Sequence, residues 1–360
     1  MSTTGTDRAD LTQAPFNLDA ESLGWVEKTL VAMTVEQKVG QAMCLYLRAD
    51  DVPAWTDWLD ERGIEPGGVM VVSRSRDKAR QDVTALQEWS RTPLLVAGNL
   101  ESGAVNFVQG SEAFANPMQV AATRQLTHVE RLAVHCARIG NDIGVNWAFP
   151  PVIDVAVNPR NPITNTRTFG QDPEMVTAMG EAYIRTLEQR AIATSPKHFP
   201  GDGVDDRDQH LVTSSNDLSL EEWQRTFAPV YQRAIAAGAR TMMVGHIRQP
   251  ALSRSLVPGI APEDILSASL APELVTGVLR NRLGFNGMIV TDNSAMAGMT
   301  TVMPAGVPLK NRQKICPFTN KSSTPGQSWQ RCDQTCSPNP SAATSGMIHP
   351  AALLRSPCQR

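Results

Sequence analysis

The sequence predicts an α/β protein, a (β/α)8 TIM-type barrel, and three observations carry the prediction. Short apolar runs recur with helical patterns between them: Gly68–Val72, Pro93–Ala97, Val145–Phe149, Ala191–Ser195, Thr241–Val244 and Gly287–Val290. Each is nearly continuously apolar, as strands buried on both faces are, and strand–helix alternation implies parallel pairing through right-handed crossovers. No Gly-x-Gly-x-x-Gly follows any run, which disfavours the doubly wound open sheet built from the same alternation. Finally, groups able to donate, accept or attack stand after nearly every run: Asn99-Leu100-Glu101, Pro150 to Asp154, Lys197-His198, Gly245-His246 and Thr291-Asp292. A barrel gathers such strand ends at one mouth.

Taken in order, residues 1–17 are polar and expected to be flexible. Leu23 to Met33 reads as a helix, and Thr34-Val35-Glu36-Gln37 as a capping box opening a second. Thr127 to Ile139 places Val129, Leu132, Ala133 and Cys136 on one stripe, and Glu174 to Leu187 is similar. Ser219-Leu220-Glu221-Glu222 is another capping box, and Leu220, Trp223, Phe227, Val230 and Ala234 carry its helix to Gly238. Pro272 opens a helix over Glu273 to Arg282, which Gly284 stops. The barrel domain is thus expected over 18–303. From 304 to 360 neither period survives, and eight prolines mix with Ser, Thr, Gln and Asn, the composition of disordered chain. The last strand–helix unit is not recognisable after Met303, and the abrupt loss of period suggests a changed reading frame or a replaced C-terminus.

At 360 residues the chain can build one large domain or two modest ones. A net charge of −3 argues against nucleic acid or an anionic membrane as main partner. No apolar run of membrane-spanning length occurs, and the N-terminus lacks a basic-then-apolar leader, so a cytoplasmic protein is expected. Cys44 and Cys136 lie in apolar, helix-like contexts and are expected reduced and buried. Cys316, Cys332, Cys336 and Cys358 read as adventitious thiols on an unstructured tail, with an irregularly spaced zinc site from Cys316, Cys332, Cys336 and His349 as the minor alternative; the chemistry expected below calls for no metal or cofactor.

The densest stretch is Lys197 to His210, with two histidines, four aspartates, a lysine and an arginine in fourteen residues. It follows a strand candidate and is pinned by Pro200, Gly201 and Gly203. A solvated acidic surface loop is the bland alternative. Metal-dependent barrel hydrolases need an early His-x-His, and phosphate cradling needs a glycine-rich loop before a late helix; neither is present. Glycoside hydrolysis needs a carboxylate for the anomeric carbon and a proton donor for the leaving oxygen. Asp292, directly after an apolar strand, fits the first. His210, oriented by Asp208 two residues earlier, fits the second.

Lys197 to His210 resembles the Lys-His-Phe-Pro-Gly-His-Gly…Asp-Ser-His loop of bacterial β-N-acetylhexosaminidases in glycoside hydrolase family 3. Five further stretches resemble that family in order. They are Leu94 to Val105, Gly144 to Asp154, Asn161-Pro162…Arg167-Thr168-Phe169-Gly170, Met243 to His246, and Leu283 to Asp292. The resemblance covers roughly residues 30 to 302. It implies the barrel and a retaining mechanism, with Asp292 as nucleophile and Asp208–His210 as acid/base pair. It also implies that Lys197, His198, Arg167 and Asp154 hold or support the sugar, with Asn99 and His246 beside them. Two alternatives stay open: Asp154 and Arg167 as a structural ion pair, and His246 as a satisfied core histidine. Asn99 stands where the family has a sugar-binding aspartate, and Ser102 and Ala104 also depart from it. Asp202 replaces the loop's middle histidine and is expected to add charge beside Asp205, Asp206 and Asp208, raising the proton affinity of His210.

The function expected is release of a terminal β-linked sugar, N-acetylglucosamine first, from a small carbohydrate or glycoconjugate. A phosphorylase using phosphate in place of water and a catalytically impaired sugar-binding homologue are the alternatives.

Overall fold

The computed structural model describes residues 9–48, 51–73 and 75–301. Helix α1 (Ala20–Ala32) opens on Asp19, whose carboxylate accepts the Ser22 N–H, and α2 (Val35–Gln41) on the reciprocal Thr34/Gln37 capping box. Strand β1 (Cys44–Arg48) follows, then α3 (Val52–Asp60), β2 (Gly68–Val72), α4 (Arg76–Trp89) and β3 (Leu95–Gly98). Next come α5 (Pro117–Ala122), α6 (Leu126–Ile143), β4 (Trp147–Ala148), α7 (Pro173–Glu188) and β5 (Ala193–Thr194). The chain continues through β6 (Ser214–Ser215), α8 (Leu220–Thr226), α9 (Ala228–Ala236), β7 (Thr241–Val244), β8 (Ile247–Arg248) and α10 (Pro250–Leu256). A π-helical segment, Glu273–Arg282, leads to β9 (Met288–Thr291) and α11 (Ala297–Thr300).

Strands β1 to β5 pair in sequence order, all parallel, and β7 pairs parallel with β9. The two sheets are joined beyond β5. Met243 N donates to the Pro196 carbonyl, Phe199 N to that of Met243, and Gly245 N to that of Phe199. Five strands and two, linked this way with helices outside, make a sheet of (β/α)8-barrel type. Among the described residues β1 pairs only with β2 and β9 only with β7. The tail expected after Met303, the eighth unit and the late cysteines lie outside the described residues.

Inside the barrel, the Trp147 indole donates to Ser195 Oγ (3.0 Å) and Thr241 Oγ1 (2.9 Å), and Thr241 Oγ1 donates to the Thr194 carbonyl (2.8 Å). One aromatic side chain thus ties β4, β5 and β7 through its polar edge while its body fills the core. Outside, α6 buries Val129, Leu132, Ala133, Cys136, Ile139 and Ile143 and ends at Gly144, whose φ of 96° only glycine adopts without strain. Gly140 lets that helix approach closely: a Cβ there would lie 3.0 Å from the Leu100 side chain and 3.1 Å from Ile192.

Four expectations need correction. Cys44 opens a strand rather than sitting in a helix, although it and Cys136 are free thiols. The helix expected from Leu220 to Gly238 is two helices hinged at Phe227, because Pro229 has no N–H to continue the ladder. Glu273–Arg282 winds as a π-helix. From Asp10 onward the N-terminal segment is held: Asn286 Oδ1 accepts the Asp10 N–H (2.8 Å), and its amide donates to the carbonyls of Asp10 (2.7 Å) and Ala14 (2.9 Å).

Asn146 clamps the β3–β4 junction, with Oδ1 accepting the Val96 N–H (2.8 Å) and Nδ2 donating to the Leu94 carbonyl (3.1 Å). Asn146→Ala strands both groups and is expected to cost about 1–3 kcal/mol of stability, read from urea unfolding. An unchanged midpoint would contradict this role.

Candidate active site

The residues that follow β3, β4, β5, β7 and β9 converge at the C-terminal mouth of the sheet. Three positions beyond β3 stands Glu101, buried and gripped by two cations. Arg167 meets it as a fork, Nε to Oε2 at 2.9 Å and Nη2 to Oε1 at 2.8 Å, and Lys197 Nζ reaches Oε1 at 2.9 Å. Lys197 also donates to Asn99 Oδ1 at 3.3 Å. Burial favours protonation of Glu101, but the charges and hydrogen bonds of Lys197 and Arg167 outweigh it and hold the carboxyl well below its ordinary range. For Lys197 burial wins over the Glu101 charge, and its proton affinity falls.

After β4 comes Asp154, fully buried. Its Oδ2 accepts His198 Nδ1 (2.6 Å), and its Oδ1 accepts the backbone N–H groups of His198 (3.0 Å) and Asp202 (2.7 Å). With Nδ1 committed, the imidazole turns Nε2 toward Asp292, 3.9 Å from Oδ2. Asp292 directly follows β9, its side chain 18% exposed, and accepts the Asn293 N–H at 2.8 Å. Burial raises its proton affinity; His198, then the Asn293 N–H and, more weakly, Lys197 more than reverse this and lower it.

His246, following β7, is buried with both ring nitrogens engaged, Nδ1 with Ser269 Oγ (2.7 Å) and Nε2 with the Asn293 carbonyl (3.0 Å). The carbonyl requires Nε2 to donate, so Nδ1 accepts the serine hydroxyl, and burial lowers the ring's proton affinity in keeping with a neutral tautomer. It braces the backbone beside Asp292.

In the loop after β5, His210 Nδ1 and its backbone N–H both meet Asp208 Oδ1, at 2.7 and 2.8 Å. The imidazole is 52% exposed, which leaves Nε2 open to a ligand. The carbonyls of Gln209 and His210 accept the N–H groups of Gly298 and Ala297, both at 3.0 Å, so the loop docks on the segment following Asp292.

Of the residues expected to hold the sugar, Lys197 and Arg167 meet Glu101, Asn99 meets Lys197, and His198 joins Asp154 and lies 3.9 Å from Asp292, while His246 stands against the Asn293 carbonyl. The ion pair weighed between Asp154 and Arg167 does not form: Arg167 goes to Glu101, Asp154 to His198. Asp202 departs from expectation. It is buried rather than part of the acidic surface, and accepts Asn161 Nδ2 (2.7 Å), the Gly203 N–H (2.7 Å) and Gln209 Nε2 (3.0 Å). Burial, and then the Asp154 charge, push its carboxyl up to about 6. Glu101 and Gln209 are the residues sequence reasoning missed. Glu101 sat in the strand-end segment read through Asn99; Gln209 carries no titratable group to mark it.

Among the described residues no group of three or more His, Cys, Asp or Glu is arranged to hold a metal ion. Within the same residues no helix is long and apolar enough to cross a membrane.

Fold and mouth together define a barrel domain with its reactive groups on the strand ends. The chain belongs to glycosyl hydrolase family 3, whose N-terminal domain it matches over residues 34–308. It is 48% identical over 295 residues to the β-N-acetylglucosaminidase/β-glucosidase of Cellulomonas fimi, covering 82% of this chain and 52% of that protein. The solved structure of β-glucoside phosphorylase BglX bound to 2FGlc superposes with a TM-score of 0.78 at 42% identity, over 82% of this chain and 53% of the other. A family 3 β-N-acetylglucosaminidase from Paenibacillus follows at 25% identity and a TM-score of 0.69, over 76% and 52%. The chain spans about half the length of these relatives.

Glu101→Gln leaves Lys197 and Arg167 facing a neutral amide and is expected to cost about 3–5 kcal/mol at neutral pH. Because the folded carboxyl is depressed, the wild-type advantage is full above the ordinary value of 4.5 and narrows as pH falls below it. Urea unfolding of both proteins across that range measures it; a gap that widens in acid would refute the assignment.

Proposed function

We propose that residues 18–303 form a barrel unit that cleaves a terminal β-linked sugar, N-acetylglucosamine first, by a retaining route. The observation that carries this is Asp292: an ionised carboxylate at a strand end, facing His198 and flanked by the Lys197–Glu101–Arg167 cluster. In the first step an Asp292 oxygen bonds to the anomeric carbon as the glycosidic bond breaks, and His210 Nε2 gives its proton to the leaving oxygen. Asp208 holds Nδ1 and stabilises the charged ring while it carries two protons. In the second step the neutral imidazole takes a proton from water, whose oxygen displaces Asp292 and restores the free carboxylate. Lys197, Arg167 and His198 offer donors to sugar hydroxyls, bonds that strengthen as the ring flattens. Asn99, an amide, both donates and accepts where the family has a carboxylate, so distal hydroxyls are read differently. The two activities in the Cellulomonas relative's name support testing glucosides alongside N-acetylglucosaminides.

A second reading is favoured by the similarity to BglX, named a phosphorylase. Phosphate would replace water in the second step, its oxygen bonding to the anomeric carbon and giving a sugar 1-phosphate. A neutral imidazole repels that anion less than a carboxylate base would.

Asp292→Ala is expected to lower kcat/KM for aryl β-glycosides on the order of a thousandfold or more. Activity equal to wild type would remove Asp292 from the chemistry and favour a sugar-binding homologue. Product analysis with and without inorganic phosphate separates the two routes: free sugar alone in phosphate rejects the second.

A further inference from the structure

His210 is half exposed on a loop without secondary structure, yet its neighbour Gln209 is completely buried. The Gln209 side chain passes inward between two partners. Its Nε2 donates to Asp202 Oδ2 (3.0 Å), and its Oε1 accepts the His246 backbone N–H (2.9 Å). Asp202 is itself fixed, its N–H given to Asp154 and its other oxygen held by Asn161 and Gly203. The space is tailored to this amide: a Cβ on Gly245 would stand 3.3 Å from Gln209 Oε1, and one on Gly298 would stand 2.8 Å from the Gln209 carbonyl.

Resting on the glycosidase reading above, we propose that Gln209 and Asp202 are positioning residues: a buried latch that docks the acid/base loop and sets where His210 stands. The latch has polarity: an amide N–H from the His210 end of the loop and a carboxylate from its start, where Asp202 is pinned to Asp154. Gln209→Glu sets two carboxylates against each other. Asp202→Asn sets two amide NH2 groups against each other, and turning the Gln209 amide to relieve this would forfeit the His246 N–H. The double variant Asp202→Asn/Gln209→Glu restores one donor and one acceptor and keeps an acceptor for His246. It also leaves an amide oxygen at position 202 to accept from Asn161 and Gly203.

The test compares kcat/KM on phenyl and dinitrophenyl β-glycosides, since only the poor phenolate leaving group needs the proton from His210. Each single variant is expected to lose on the order of ten- to a hundredfold on the phenyl substrate, with far less change on the dinitrophenyl one, and the double variant to recover most of the loss. In parallel, hydrogen exchange of the Ala297 and Gly298 amides, which donate into the loop, is expected to accelerate in the singles and slow again in the double. Equal losses on both substrates, no recovery in the double, or unchanged exchange in the singles would each overturn the latch. A wild type that cleaves neither substrate would defeat the glycosidase reading instead, and exchange would still decide the latch.

Discussion

The Asp154 carboxylate is fully buried and takes three N–H donors, two from the backbone and one from an imidazole, all on the loop that follows β5. A carboxylate out of water is costly unless its lone pairs are filled, and here the filling atoms belong to the residues whose placement matters. His198 Nδ1 is captured, which sends Nε2 toward Asp292. The Asp202 N–H is captured, which turns that side chain to Gln209 and so fixes the backbone of His210. Its own segment is held by Thr168 Oγ1, which donates to the Asp154 carbonyl. Removing this one charge would free both the His198 end of the loop and, through Asp202 and Gln209, the His210 end.

Most of the sheet was legible because parallel strands buried on both faces must be apolar almost throughout, and Thr241–Val244 and Gly68–Val72 end where the sequence puts them. Strand β1 was not, since Cys44, Leu45 and Tyr46 are only half buried and the preceding helix runs to within three residues of it. Periodicity also carried the reading straight through Pro229, because the apolar stripe continues across the hinge at Phe227 and hides the break. At the mouth, the placement of Asp292 at a strand end and the contact between Asp208 and His210 were readable from position and spacing, although no role follows from either. Partner choice was not. Nothing in one dimension says that Arg167 meets Glu101 rather than Asp154, or that Asp202 turns inward while Asp205 and Asp206 remain with Arg207 and Arg160. Charge density marks a loop; burial decides which of its charges acts.

Lys197 and Arg167 share one carboxylate, so two cations and one anion leave a single net positive charge beside Asp292. Against the opposing effect of burial, His198 and the Asn293 N–H, with a smaller contribution from Lys197, lower the proton affinity of Asp292. With Asp292 ionised that positive charge is already balanced, so a second anion gains nothing from it in the ground state. If Asp292 forms the ester proposed above its charge disappears, and the unbalanced cations would then strengthen every hydrogen bond they donate to the ligand. Of the acidic residues nearby, Asp154 is engaged by the His198 ring and two backbone N–H groups. Asp205 is bound to Arg207 and the Ser215 N–H, and Asp206 lies 3.4 Å from Arg160. Asp202, with its carboxyl raised to about 6, carries less than a full charge in mildly acidic solution. A neutral imidazole as base adds no negative charge of its own. On the proposed retaining route the mouth would therefore pass from balanced to net positive between the two half-reactions, and what enters in the second, water or an anion, would be set by the charge that the first removes.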